Sequence, residues 1–200
     1  MNWENFWRKD PHAFSKRSYK RQLRIAKVVE RILKRNKYKT VLDIGYGKAV
    51  ALEKLAKEFP KINFYGYDIS ENIIKENKKP EFKNIKFRVA DMNKLSKKFG
   101  VIMCFGVLAH ELKPLNKINR LMKFVEKNGS LIINYPNKEQ LEMSKRMNKK
   151  LPKSERKYWQ NRMKLMYEEK NLITFSEIKQ LGYPCKVIMK NPTIVQIIKK

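Results

Sequence analysis

The stretch that decides the fold is Val41-Leu42-Asp43-Ile44-Gly45-Tyr46-Gly47-Lys48-Ala49. A short apolar run ends in an acid, passes through two glycines one residue apart, and enters a helical pattern (residues 48–59). Small residues let the backbone approach a ligand closely, and the helix that follows presents unpaired N–H groups. A pyrophosphate-binding turn would read G-x-G-x-x-G. Here the order is D-x-G-x-G-x-A, and the carboxylate ahead of the turn suits a ligand's cationic amine better than a pyrophosphate.

Downstream, short apolar runs alternate with helical ones. Strands are expected at 39–44, 62–67, 84–89, 101–106 and 130–135. Helices are expected at 48–59, 70–79 (capped by Ser70) and 115–127. Such alternation with right-handed crossovers gives a doubly wound, mostly parallel α/β sheet. The tail differs: a helix over 174–181 stops at Gly182, and two strands (184–190 and 193–200) flank Asn191-Pro192. That turn signal implies an antiparallel pair and a seven-stranded sheet.

With these elements placed, the chain resembles the class I S-adenosylmethionine-dependent methyltransferases, a Rossmann-like family whose first motif is D/E-x-G-x-G-x-G. The resemblance runs from about Thr40 to Lys200 and is specific for the cofactor, not for the acceptor. It implies that Asp43, Gly45, Tyr46, Gly47 and Ala49 line the methionine part of S-adenosylmethionine. It also implies that Asp68 accepts from both ribose hydroxyls, that Ile69 packs on the adenine, and that Asp91, with Met92 beside it, accepts from the adenine amino group. Phe105 and Gly106 would flank the sulfonium. Three acids after three successive strands carry this reading together; each alone could be a cap or a loop acid.

Two positions depart from the family pattern. Ala49 stands where a third glycine is usual: its methyl group is tolerated if the backbone there lies outside the positive-φ region, and otherwise weakens cofactor binding. Gly100 stands where many relatives begin the fourth strand with Asp. His110, in the loop after the fourth strand, is a candidate base, or else only an anchor for that loop. H-E-L-K-P (residues 110–114) lacks the second His of a metalloprotease helix, so no metal site is expected. Asn134-Tyr135-Pro136-Asn137 is only superficially like the Asn-Pro-Pro-aromatic motif of base-amine methyltransferases.

The chain has 200 residues and a formal net charge of +28. Its length fits a single domain (residues 1–200). It divides into a basic N-terminal arm and helix (1–38), the core, and a helical insertion or lid (136–171), split near Pro152. In the expected helix over 16–37, Tyr19, Leu23, Ala26, Val29 and Leu33 form an apolar face. Arg17, Arg21, Arg24, Arg31 and Arg35 form a stripe opposite it. No apolar run reaches the roughly 20 residues that span a bilayer, and no signal-peptide core is visible, so a cytoplasmic protein with no membrane contact is expected.

Cys104 reads as a core thiol. Cys185 follows Pro184, like one methyltransferase nucleophile, but lies near the C-terminus rather than after the fourth strand. The expected activity is methyl transfer to an O or N atom of a small-molecule acceptor. One alternative is an RNA methyltransferase using the basic helix and insertion, with Trp3, Trp7, Tyr158 and Trp159 as stacking partners. Another is a non-catalytic binding protein on the same fold.

Overall fold

The structure, a computed structural model, describes residues 16–77, 82–166, 171–190 and 192–200. In chain order these form α1 (Lys16–Lys34), β1 (Thr40–Ile44), α2 (Val50–Glu58), β2 (Asn63–Asp68), α3 (Glu71–Asn77), β3 (Ile85–Val89), β4 (Phe99–Cys104), α4 (Pro114–Lys123) and β5 (Val125–Asn134). They continue with α5 (Lys138–Lys149), α6 (Lys153–Met166), α7 (Phe175–Gln180), β6 (Cys185–Met189) and β7 (Ile194–Ile198). Single 3-10 turns follow β3 (Met92–Lys94) and β4 (Leu108–His110).

The seven strands make one sheet in the order β3-β2-β1-β4-β5-β7-β6. β1 to β5 pair in parallel, and β7 runs antiparallel between β5 and β6. The expected doubly wound sheet with its antiparallel end is therefore present. One face buries α1, α2 and α3 through Val29, Leu52, Leu55 and Ile73. The other buries α4 and α7 through Ile118, Leu121 and Ile178, with Cys104 fully enclosed among them. Order reverses between β1 and β4, so the carboxyl ends of β1, β2 and β4 border the crevice where doubly wound sheets take ligands.

Several boundaries differ from expectation. The helix expected over 115–127 ends at Lys123, and β5 starts at Val125. The cause is tertiary: the Lys199 ammonium donates to the carbonyls of Met122 (3.0 Å) and Val125 (2.9 Å) and ends the helix. Asn128 then takes φ 61° inside β5, its N–H donating to Lys199 O at 2.6 Å.

The face of α1 is also turned from the one expected. Ile25, Ala26, Val29, Ile32 and Leu33 are buried, whereas Tyr19 is 52% exposed. Gly100 has a packing reason: a Cβ there would come within 3.1 Å of the Tyr38 ring and 3.2 Å of Thr40 O. Trp3, Trp7 and the Arg17 side chain lie outside the described residues. No described helix is long and apolar enough to cross a membrane.

Candidate cofactor site at the carboxyl edge of the sheet

The turn after β1 is shaped by three consecutive odd-numbered positions in the left-handed region. Gly45 has φ +66°, Gly47 φ +56° and Ala49 φ +53°. The first two need glycine on conformational grounds. Gly45 needs it sterically as well, because a Cβ would meet Val107 Cγ2 at 2.4 Å. Ala49 takes the less favourable of the two cases open to it, adopting the left-handed conformation despite its methyl group. It does so at the N-cap of α2, fully buried, with its N–H donating to Tyr46 O at 3.1 Å. Such a residue costs of order 1–2 kcal/mol relative to an unstrained one.

Tyr46 points away from the crevice. Its ring is buried and lies 4.9 Å from that of Phe87, over Gly66, where a Cβ would come within 2.9 Å of both rings. Tyr46 and Ala49 therefore offer a ligand only backbone, and Met92 is packed into the second core cluster.

Asp68, at the end of β2, is 5% exposed. One carboxylate oxygen accepts from Gly47 N (3.3 Å) and the other from Ser70 N (3.1 Å), so the acid spans the glycine turn and the β2 loop. The capping of α3 falls to Ser70, whose Oγ accepts from Ile73 N at 3.4 Å. Next to Asp68, Ile69 is 50% exposed, an apolar surface left open at the crevice.

Asp43 is likewise 5% exposed, and among the described residues no donor reaches its side chain. Burial, and then the Asp68 carboxylate, push its carboxyl well above the usual range. Two buried acids at one turn call for a cation. Asp91 differs from both. Burial pushes its carboxyl up, but the Asn93 N–H on Oδ1 (2.8 Å) and the Lys117 and Lys94 charges outweigh this and hold it below the usual range. Asn93 is itself held by Lys117 Nζ at 2.6 Å and by Arg120.

The loop after β4 closes the crevice. Gly106 has φ +76°, and its N–H donates to Asn134 Oδ1 at 2.7 Å. Asn134 thus anchors a loop, and Asn137 caps α5 by accepting from Gln140 N (2.8 Å), so neither belongs to a base-amine motif. The anchoring role of Asn134 was not legible beforehand, because its partner lies 28 residues away. His110 ends the 3-10 turn of that loop, and α6 packs against the turn. The described residues between Pro136 and Ile173 belong to an excursion whose ends meet, Ile173 N donating to Pro136 O at 2.9 Å. Asn171 ties it down through Ala109 O at 3.0 Å. Within it, α5 and α6 pair, divided at Pro152 as expected.

The structure thus gathers Asp43, Gly45, Gly47, Asp68, Ile69, Phe105 and Gly106 at one edge, with Asp91 at the adjoining strand end. The donor set, two buried acids beside an exposed apolar side chain, has the chemistry to take a ligand that joins a cationic amine and hydroxyls to an apolar ring, as S-adenosylmethionine does. A groove of about 510 Å³ lined by Ala56, Lys57, Pro60, Phe82, Lys83 and Asn84 opens at the opposite edge, where β2 and β3 begin. Among the described residues no three His, Cys, Asp or Glu form a metal-binding group.

Comparison with known proteins bears on the fold and the family. A protein of Rickettsia prowazekii (strain Madrid E), itself described as uncharacterised, is 31% identical over 104 residues. The match spans 48% of this chain and 42% of that protein, so the chain covers less than half of its relative. The plantazolicin methyltransferase BpumL, solved with a monoazolic desmethylPZN analog and SAH, superposes with a TM-score of 0.69 at 17% identity, covering 99% of this chain and 94% of that one. Magnesium protoporphyrin IX methyltransferase from Synechocystis PCC 6803, solved with SAH, gives 0.65 at 18% identity, covering 90% and 84%. The methyltransferase-domain family matches residues 35–171. The chain belongs to that methyltransferase-domain family, and its fold is the Rossmann-like fold of the methyltransferases.

Proposed function

We propose that this methyltransferase methylates an O or N atom of a small-molecule acceptor, held between the 105–110 loop and the α5–α6 excursion. The observation that carries the site assignment is the Asp68 carboxylate bridging Gly47 N and Ser70 N beside an exposed Ile69. In this reading Asp43 pairs with the cofactor's amine, and the Gly45–Ala49 backbone follows its methionine part. Asp68 takes the ribose hydroxyls, a task suited to paired acceptors. Ile69 and Asp91 flank the adenine, with Met92 supporting them from the core, and Phe105 and Gly106 flank the sulfonium.

The bound cofactor supplies a methyl group on a positively charged sulfur, already activated for in-line displacement. The chain's own contribution is orientation: Gly106, tied to Asn134, sets one wall, and the α5–α6 excursion limits the acceptor's approach and excludes water. In this reading His110, at the end of the 3-10 turn after β4, is the candidate base for an acceptor proton.

Calorimetric titration with S-adenosylmethionine and S-adenosylhomocysteine tests the site. Micromolar binding is expected, weakened by roughly 1–3 kcal/mol in Asp68→Ala. A folded protein that binds neither, or an Asp68→Ala variant with unchanged affinity, would show the site to be misassigned. Turnover on a small-molecule pool, lost in His110→Ala without loss of cofactor binding, supports the acceptor half.

A further inference from the structure

The exposed face of α1 contributes none of the residues of the cofactor site, and the stretch that carries it is densely cationic. Residues 16–39 hold 11 of the 47 Lys and Arg and one of the 19 acids, which is +10 of the total +28 in 24 residues. The other 176 residues hold 36 and 18. Their density is about a quarter as high, so a generally lysine-rich chain does not account for the excess.

The structure arranges this charge. Lys20, Arg24, Lys27, Arg31, Lys34 and Arg35 are all exposed. At about 100° per residue they fall within one sector, directly opposite the buried Ile25–Val29–Leu33 face. Glu30 is the lone acid of the helix, and Lys34 engages it at 2.6 Å. From Lys20 to Arg35 the stripe runs about 22 Å, at 1.5 Å per residue.

Direction matters too. α1 and α2 pack side by side, and their last turns meet where Lys34 Nζ lies 3.6 Å from Glu58 Oε1. Both helices therefore run toward the edge where strands begin, and the Lys20 end of the stripe points to the edge that carries Asp43 and Asp68. Beside that end stands Tyr19, 52% exposed, an aromatic ring on the surface next to a line of cations.

We infer that this face of α1 is a docking surface for the phosphate backbone of single-stranded RNA. A linear row of cations neutralises successive phosphates. An exposed ring at its end offers a stacking platform for an unpaired base, the feature by which single-stranded RNA is held. An anionic membrane fits less well, because the apolar face that would insert is already spent on the core. The inference rests on α1 and does not depend on which acceptor the cofactor site serves.

The test is fluorescence anisotropy with a labelled 20-nucleotide single-stranded RNA, from low to moderate salt. Binding is expected whose log–log salt slope reflects several phosphates, at about 0.7 per phosphate. The K20E/R24E/K27E/R31E variant should bind at least roughly tenfold more weakly, with the slope reduced by about 3, and K20Q/R24Q/K27Q/R31Q should fall between it and the parent. Tyr19→Ala should weaken RNA binding while leaving the salt slope in place. Unchanged thermal melts and cofactor titrations in these variants separate loss of docking from loss of the fold or of the cofactor site. RNA binding retained by the charge-reversed variant, or a preference for duplex DNA or for phosphatidylserine vesicles over the single strand, overturns the inference.

Discussion

The amide of Gly106 is held by the side chain of Asn134 at 2.7 Å, a hydrogen bond that crosses from the loop after β4 to the last residue of β5. Gly106 is at φ +76°, a conformation this bond helps to keep. Asn134→Ala should therefore release the loop. We expect kcat to fall by roughly tenfold or more, a loss of about 1–2 kcal/mol of positioning, with a smaller change in cofactor Kd. Asn134→Asp keeps an acceptor oxygen and should recover part of the loss. Equal effects of both variants on Kd alone would assign Asn134 to cofactor binding instead.

Asp43 sets stability against binding. Its carboxyl is pushed well above the usual range by burial and by Asp68. A raised folded-state pKa means that the folded ligand-free protein holds this proton more tightly than the unfolded chain does. The associated stability is present in full below the unfolded value of about 3.9 and is lost as pH rises through the folded value. Asp43→Asn removes that loss. At neutral pH the ligand-free variant should melt higher, by about 2–4 °C for each kcal/mol recovered, while binding S-adenosylmethionine more weakly. A variant that melts lower without ligand would show Asp43 to be stabilising on its own.

Ala49 makes the opposite prediction for the same turn. Its φ of +53° at the N-cap of α2 favours glycine. Ala49→Gly should raise the melting temperature by a few degrees, net of the extra freedom glycine has in the unfolded chain, and leave cofactor affinity equal or tighter. Weaker cofactor binding in Ala49→Gly would mean that the methyl group packs in a way that supports the site.

Lys199 is a cap supplied from the end of the chain. Its ammonium donates to Met122 O and Val125 O, and burial, with Lys98 nearby, pulls its pKa down. Lys199→Met should leave those carbonyls without their donor and destabilise the fold by about 1–3 kcal/mol in denaturant unfolding. A change below about 0.5 kcal/mol would mean that water replaces the ammonium.

The order of elements was legible in the sequence because strand and helix periods alternate plainly from Thr40 onward, and an acid stands near the end of each of the first three strands: Asp43 inside β1, Asp68 at the end of β2 and Asp91 just past β3. Ser70 as a cap, Cys104 as a core thiol and the division of the excursion at Pro152 were local matters, and local chemistry determined them. What depended on distant partners was not legible. The apolar face of α1 was legible at Ala26, Val29 and Leu33, but its centre is turned toward Ile25 and Ile32, and Tyr19 is left exposed. The helix before β5 was read four residues too long, because Lys199 ends it from the far end of the chain. The backbone of Ala49 is forced positive by the turn it closes, and Asn134 holds a loop 28 residues away. Periodicity and charge spacing therefore determined the sheet and the basic helix, and the resemblance carried by the Asp43–Ala49 motif pointed to the family. Only the tertiary structure decided which side chains line the crevice, since that depends on groups that approach through space and leave no mark on the neighbouring sequence.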